Sequence, residues 1–146
     1  MIKIVCIGKL KEKYLRDLCN DYLKRINKYH KIEIIELKDS NIIDESKLIL
    51  KHIVGLNAYV ISCDINSKEY TTIELKEKIE SLLIDGKSNI TFVIGGSDGL
   101  FSEVKARSNE LISFSKLTYP HGLFRGILLE QIYRIFKIIN NESYHK

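Results

Sequence analysis

Three short stretches combine residue types that suit chemistry, and each follows an apolar run that reads as a strand. Val93-Ile94-Gly95-Gly96-Ser97-Asp98-Gly99-Leu100 places paired glycines at such a run's end. Glycines there let a ligand come close to the backbone, and the turn can aim N–H groups at it. No Gly-Lys-Ser/Thr follows, so this is not a P-loop, and the spacing departs from Gly-x-Gly-x-x-Gly. The plainer reading is a tight strand-to-helix turn capped by Ser97 or Asp98; the sequence leaves both open. Phe114-Ser115-Lys116-Leu117-Thr118-Tyr119-Pro120-His121-Gly122 holds the one proline of the chain beside a histidine. Pro120 forces Tyr119 to be extended and suits the start of a helix. His121, close in sequence to several polar groups, is a candidate for proton chemistry. Ile61-Ser62-Cys63-Asp64 offers a thiol, but no histidine is spaced to activate it, so Cys63 reads as packed.

The chain ends Glu142-Ser143-Tyr144-His145-Lys146. An aromatic ring, an imidazole and a cation together suit stacking on a base and contacting phosphate. The competing reading is a frayed terminus. Cys6, Cys19 and Cys63 are scattered, with no Cys-x-x-Cys and no Cys/His pair at zinc spacing, so no metal is expected. The net charge of +4 is unevenly spread. Residues 1–31 carry a balance of +6, residues 32–99 of −5 and residues 100–146 of +3. If the two ends meet in space, they form a basic face for a polyanion; otherwise the lysines are a solvated surface.

The elements that must position these residues follow from periodicity. Alternation marks 2–7 as a strand, and the helical face Leu15, Leu18, Tyr22, Ile26, Tyr29 marks a helix over 12–29. Strands are expected at 32–37, 59–65, 90–94 and 111–114. The run at 90–94 is continuously apolar, as in a strand buried on both faces. Helices are expected at 46–53, 72–83, 100–107 and 123–139, with Asp85-Gly86 stopping the second. The last helix is apolar around so much of its circumference that it must bury a second face, against a homodimer partner or inside its own chain. Strands alternating with helices over 146 residues, with no repeats or linkers, predict one α/β domain over 1–146 with a mostly parallel sheet flanked by helices. Ligands in such sheets lie beyond the carboxyl ends of the strands. No leader-like or membrane-spanning run is present, so no membrane association and a cytoplasmic location are expected.

Residues 2–11, 92–99 and 113–121, followed by Arg125, Leu129-Glu130-Gln131-Ile132-Tyr133-Arg134 and Tyr144-His145-Lys146, together resemble one family from end to end. It is that of the bacterial 23S rRNA pseudouridine N3-methyltransferases, of the SPOUT class. The resemblance implies a homodimer, S-adenosylmethionine as methyl donor, a trefoil knot in the C-terminal half, and 23S rRNA in the assembled ribosome as substrate. It places the cofactor at Cys63, Gly95, Phe114, Ser115, Lys116, Leu117, Thr118 and Tyr119. Members often carry leucine where this chain has Cys63, so the contact implied there is apolar or through the backbone. Pseudouridine N3 must lose its proton, which makes His121, or His145 from the partner's tail, the expected base. Arg125 is expected to stabilise charge developing on the flanking carbonyl oxygens, and Arg125, Tyr144, His145 and Lys146 to meet the RNA. Two rival readings are a SPOUT-class enzyme acting on tRNA and a non-catalytic ribosome-binding module. RNA mass mapping separates the first, and cofactor binding the second.

Overall fold

The computed structural model describes residues 1–55 and 57–146. Five strands form one parallel sheet: β1 (Ile2–Ile7), β2 (Ile32–Leu37), β3 (Tyr59–Cys63), β4 (Ile90–Ile94) and β5 (Glu110–Ile112), in the order β2-β1-β4-β3-β5. Five helices connect and follow them: α1 (Lys13–Ile26), α2 (Ile42–Ile53), α3 (Thr72–Ile84), α4 (Ser102–Arg107) and α5 (His121–Ile139). β4 lies between β1 and β3 and is buried along its whole length, as its unbroken apolar run requires. β2 is an edge strand and carries exposed Glu33 and Glu36.

Alternation along the central strands divides the core in two. Ile4, Cys6, Ile61 and Phe92 meet α1, α3 and α5 on one face of the sheet. Val5, Ile7, Val60 and Val93 meet α2 and α4 on the other. The register aligns Cys6, Ile94, Cys63 and Ile112 in one row across four strands. Four strands therefore end at one level, and the loops after β3, β4 and β5 leave the sheet side by side.

The expected elements are all present, with boundaries moved by side chains that periodicity does not weigh. The first helix stops at Ile26 instead of residue 29. Asn27 Nδ2 donates to Leu23 O at 2.8 Å, and its Oδ1 accepts from Ile32 N at 3.2 Å, so one side chain ends α1 and starts β2. The second helix begins four residues early, because Asn41 Oδ1 accepts from Asp44 N at 2.9 Å and caps it. β3 stops at Cys63, where Asp64 turns the chain by accepting from Ser67 Oγ at 2.9 Å. α4 begins at Ser102, past a turn closed by Gly99 N donating to Gly96 O at 3.0 Å. Neither Ser97 nor Asp98 caps it, which corrects that expectation; Phe101 occupies the cap position. α5 begins two residues early, immediately after Pro120.

α5 absorbs most of its apolar surplus within the chain. Leu128, Leu129, Ile132, Ile135 and Phe136 are buried against the sheet and its flanking helices. What remains outside lies at its two ends: in the first two turns Leu123 is exposed and Phe124 and Ile127 are half-buried, and in the last turn Ile138 and Ile139 are half-buried.

Candidate functional site

A cavity of about 580 Å³ opens at the carboxyl ends of β3, β4 and β5. That is within the range of sites for nucleotide-sized ligands. Three loops wall it: 64–66 after β3, 95–100 after β4 and 113–120 after β5. Ile94, Leu100, Ile112 and Phe114 make one part of the wall apolar, while Asp64, Asn66, Ser113 and Lys105 make another polar.

The glycine turn serves the fold first. A Cβ on Gly95 would stand 2.6 Å from Gly99 O, and one on Gly96 would stand 2.7 Å from Glu45 Oε1. Glu45 is a buried carboxylate, 5% exposed, that accepts from Ser40 N at 2.9 Å. The room expected for a ligand is thus largely filled by the turn's own carbonyl and by a side chain of α2. Gly95 still lines the cavity from beneath.

The loop after β5 is fixed from within and from below. Ser113 Oγ donates to Ser115 O at 2.9 Å, and Leu117 N donates to Ser115 Oγ at 2.9 Å. Phe124, in the first turn of α5, meets Phe114 edge-on at 5.0 Å and stacks with Tyr119 at 6.2 Å and 7°. One ring therefore grips both ends of the loop. Leu117, at its tip, is 71% exposed.

Charge enters through Asp64 and Lys105, paired at 3.3 Å in the cavity wall. Burial opposes ionisation of Asp64, but hydrogen bonds from Ser67, Lys105 and the Asn66 backbone outweigh it and hold the carboxyl below its usual range. The thiol of Cys63 goes the other way. Burial pushes it up to about 12, so it remains protonated and serves as an apolar wall.

The structure gathers Cys63, Gly95, Phe114, Ser115, Leu117, Thr118, Tyr119 and His121 around this cavity. Lys116 is exposed and is not part of the lining. Arg125 is not at the cavity. It is 1% exposed, with Nη1 on Glu36 Oε2 at 2.5 Å and Nη2 on Gly8 O at 3.0 Å. Tyr144, His145 and Lys146 also lie outside the lining. Tyr144 anchors the tail: its hydroxyl donates to Glu130 at 3.1 Å, its ring meets Tyr133 edge-on, and Arg134 covers its face at 4.8 Å. That face is therefore occupied by protein instead of being open to a base. Exposed His145 contacts Arg134 at 3.1 Å. Sequence reasoning missed Asp64, Lys105 and Phe124, whose part in the site depends on loops from three different strands meeting.

Comparison with known proteins bears on what such a cavity does. A family profile described as "Predicted SPOUT methyltransferase" matches residues 1–145. The chain belongs to the SPOUT methyltransferase family. Two curated relatives, both named "Ribosomal RNA large subunit methyltransferase H", are similar to this SPOUT methyltransferase over 99% of each chain. They are 50% identical over 157 residues in Enterococcus faecalis and 48% over 158 in Clostridium tetani. Those alignments are longer than the 146 residues of this SPOUT methyltransferase, so the relatives carry additional residues within it. A solved "probable methylase family protein" from Haemophilus influenzae shares the fold, with TM-score 0.58 and 12% identity over 99% of this chain and 70% of that one. Among the described residues no helix is long and apolar enough to cross a membrane, and no cluster of metal-ligating side chains is present.

Proposed function

We propose that this SPOUT methyltransferase transfers a methyl group from S-adenosylmethionine to N3 of a pseudouridine in a 23S rRNA stem-loop, on the assembled ribosome in the cytoplasm. The observation that carries the reading is the cavity at the ends of β3, β4 and β5, with the exposed imidazole of His121 on its rim. The names of the relatives supply the rRNA large subunit as the target.

The residues present fit a nucleoside-type cofactor. Ile94, Leu100, Ile112 and Phe114 offer apolar walls for a base, and Asp64 offers a carboxylate for a donor-rich or cationic group. The loop carrying Ser115, Leu117, Thr118 and Tyr119 closes over it, with Lys116 outside. When bound, the cofactor supplies an activated methyl group; the protein's part is orientation. A deep trefoil knot through this loop system belongs to the same reading.

His121 acts as base in this proposal. Among the described residues nothing hydrogen-bonds to its imidazole, so the ring is free to take the N3 proton. His145 cannot serve the same cavity within one chain. It rests on Arg134, 13 positions along α5 from His121, and a helix rises about 1.5 Å per residue, so the position that holds it lies roughly 20 Å along the helix from His121. A tail that takes part in the reaction must therefore come from a second copy. The apolar rim of Ile65 and Leu117 beside half-buried Phe124 suits coverage by that copy. Together these support a homodimer whose tail residues His145 and Lys146 approach the partner's cavity.

The test is methylation of ribosomes lacking the modification, read by mass mapping of the rRNA. The expected result is one methyl group on a pseudouridine of the large subunit, with little transfer to protein-free hairpin or tRNA. Methylation of tRNA instead, or a protein that binds ribosomes but neither S-adenosylmethionine nor S-adenosylhomocysteine, overturns the reading.

A further inference from the structure

The loop from β1 to α1 carries cations that form no ion pair among the described residues, on a backbone held by two arginine side chains. Lys9 and Lys11 are exposed, as is Lys38 just past β2. Gly8 N donates to Leu37 O at 2.7 Å, which joins the ends of the two strands and brings Lys9 and Lys38 to one edge. Among the described residues none of these three lysines forms an ion pair. Several cations of the same helical layer are paired, Lys13 with Asp17, Arg25 with Asp21, Arg134 with Glu130 and Lys137 with Glu142, while Lys24 and Lys28, at the end of α1 farther from the cavity, are not. Glu12 and Asp39 are the acids nearest in sequence, and both are exposed without forming an ion pair to the three lysines.

Two arginines fix the loop. Buried Arg125 reaches across from α5, clamps Gly8 O and is itself held by Glu36. Arg16, from the first turn of α1, donates to Leu10 O at 3.2 Å and Lys11 O at 2.5 Å. The loop also touches the site. A Cβ on Gly8 would lie 3.4 Å from His121 Cε1, and one on Gly122 would lie 3.1 Å from Leu10 Cδ2. The imidazole on the cavity rim is therefore packed against the loop that presents the free lysines.

We propose that the β1–α1 loop is a docking edge for the phosphodiester backbone of the RNA substrate, with Lys9, Lys11 and Lys38 as its phosphate contacts. Arg125 and Arg16 are positioning residues that hold this edge beside His121. The proposal rests on the reading of the site as an rRNA methyltransferase and adds where the substrate's backbone runs. A base that reaches His121 brings its own strand past the adjacent loop. Lysine suits a backbone contact because an ammonium needs no fixed orientation toward a phosphate. A loop held in place beforehand loses little freedom when it binds.

The experiment compares wild type with Lys9→Glu/Lys11→Glu, with Lys38→Glu, with Glu36→Gln and with a control on α2, Lys47→Glu. Binding of ribosomes is measured by co-sedimentation across a salt series, and methyl transfer and cofactor binding are measured separately. The double variant is expected to weaken ribosome binding by about tenfold or more and to lower its salt dependence by roughly one to two counterions. Cofactor binding stays as in wild type. Glu36→Gln, which loosens the hold of Arg125 without removing a phosphate contact, is expected to raise KM for ribosomes while keeping the salt slope. Binding by the charge-reversed loop equal to wild type or to Lys47→Glu overturns the proposal, even if methylation proceeds. Loss of binding with the loop charges supports it even if the methylated nucleotide is not the one proposed, so the two readings fail separately.

Discussion

His30 sits half-buried between α1 and β2, stacked on Phe136 at 5.6 Å and 14°, with its Nε2 buried and unpartnered. Burial lowers its pKa, and the N-terminal ammonium of Met1 acts in the same direction. Because the unfolded chain then takes up the proton first, the neutral ring contributes stability that is full above the ordinary histidine range and lost as pH falls below about 6.5. His30→Phe preserves the stack on Phe136 and removes the titration. Melting temperatures recorded from pH 7.5 to pH 5 should fall less steeply for the variant than for wild type, and parallel curves would refute the assignment. Phe124 is the other residue whose environment makes a sharp claim. Its ring grips Phe114 and Tyr119, so Phe124→Ala should cost about 2 kcal/mol of stability, below the range for a fully buried ring. It should also weaken S-adenosylmethionine binding by about tenfold, since freeing the loop adds ordering cost to binding. Isothermal titration checks this, and an unchanged affinity in a folded variant would show that the loop is fixed by other contacts.

Among the elements, the turn after β4 depends on two glycines for reasons internal to the fold. Gly95→Ala drives a methyl group to within 2.6 Å of the Gly99 carbonyl, a backbone atom that can only yield if the turn opens. A stability loss of about 2–3 kcal/mol and loss of measurable cofactor binding are expected, by denaturant titration and calorimetry. An alanine variant that binds as wild type would mean the turn is not part of the site. The glycine pair was legible in the sequence, but its cause was not, since the neighbours that require it, Gly99 O and Glu45 Oε1, come from a turn and a helix that only the fold brings there. β1 was legible by its alternation and β4 by its continuous apolar run, which is buried along its whole length. Helix limits were less so, because Asn27 and Asn41 end and start elements through single side-chain hydrogen bonds that leave no periodic trace. The candidate site divides in the same way. His121 and the loop before it stand out by composition. Asp64, Lys105 and Phe124 do not, because each is an ordinary residue until three strand ends are set side by side. Arg125 was recognised as special, yet its partners, Glu36 on β2 and Gly8 just past β1, make it an anchor within the protein.

For the molecule as a whole, the length of α5 decides how the tail can act. Tyr144 is tied to Glu130, Tyr133 and Arg134, and His145 to Arg134, so the tail is moored far along the helix from its own His121. If tail residues work at the reaction centre, they work in trans, and each cavity of a homodimer is made from two chains. That arrangement has a countable consequence. Consider a His121→Ala chain mixed with a chain in which His145 and Lys146 are replaced by alanine, each inactive as a homodimer. In the mixed dimer one site combines both defects. The other combines an intact His121 with an intact tail. Random reassortment of equal amounts makes about half of all dimers mixed, so activity should recover to roughly a quarter of wild type. Were the tail to serve its own chain, every site in the mixed dimer would hold one defect, and no activity would return. Methyl transfer to ribosomes before and after co-refolding distinguishes the two. Recovery would also establish a stable dimer, because only such a dimer keeps a borrowed tail in place through turnover.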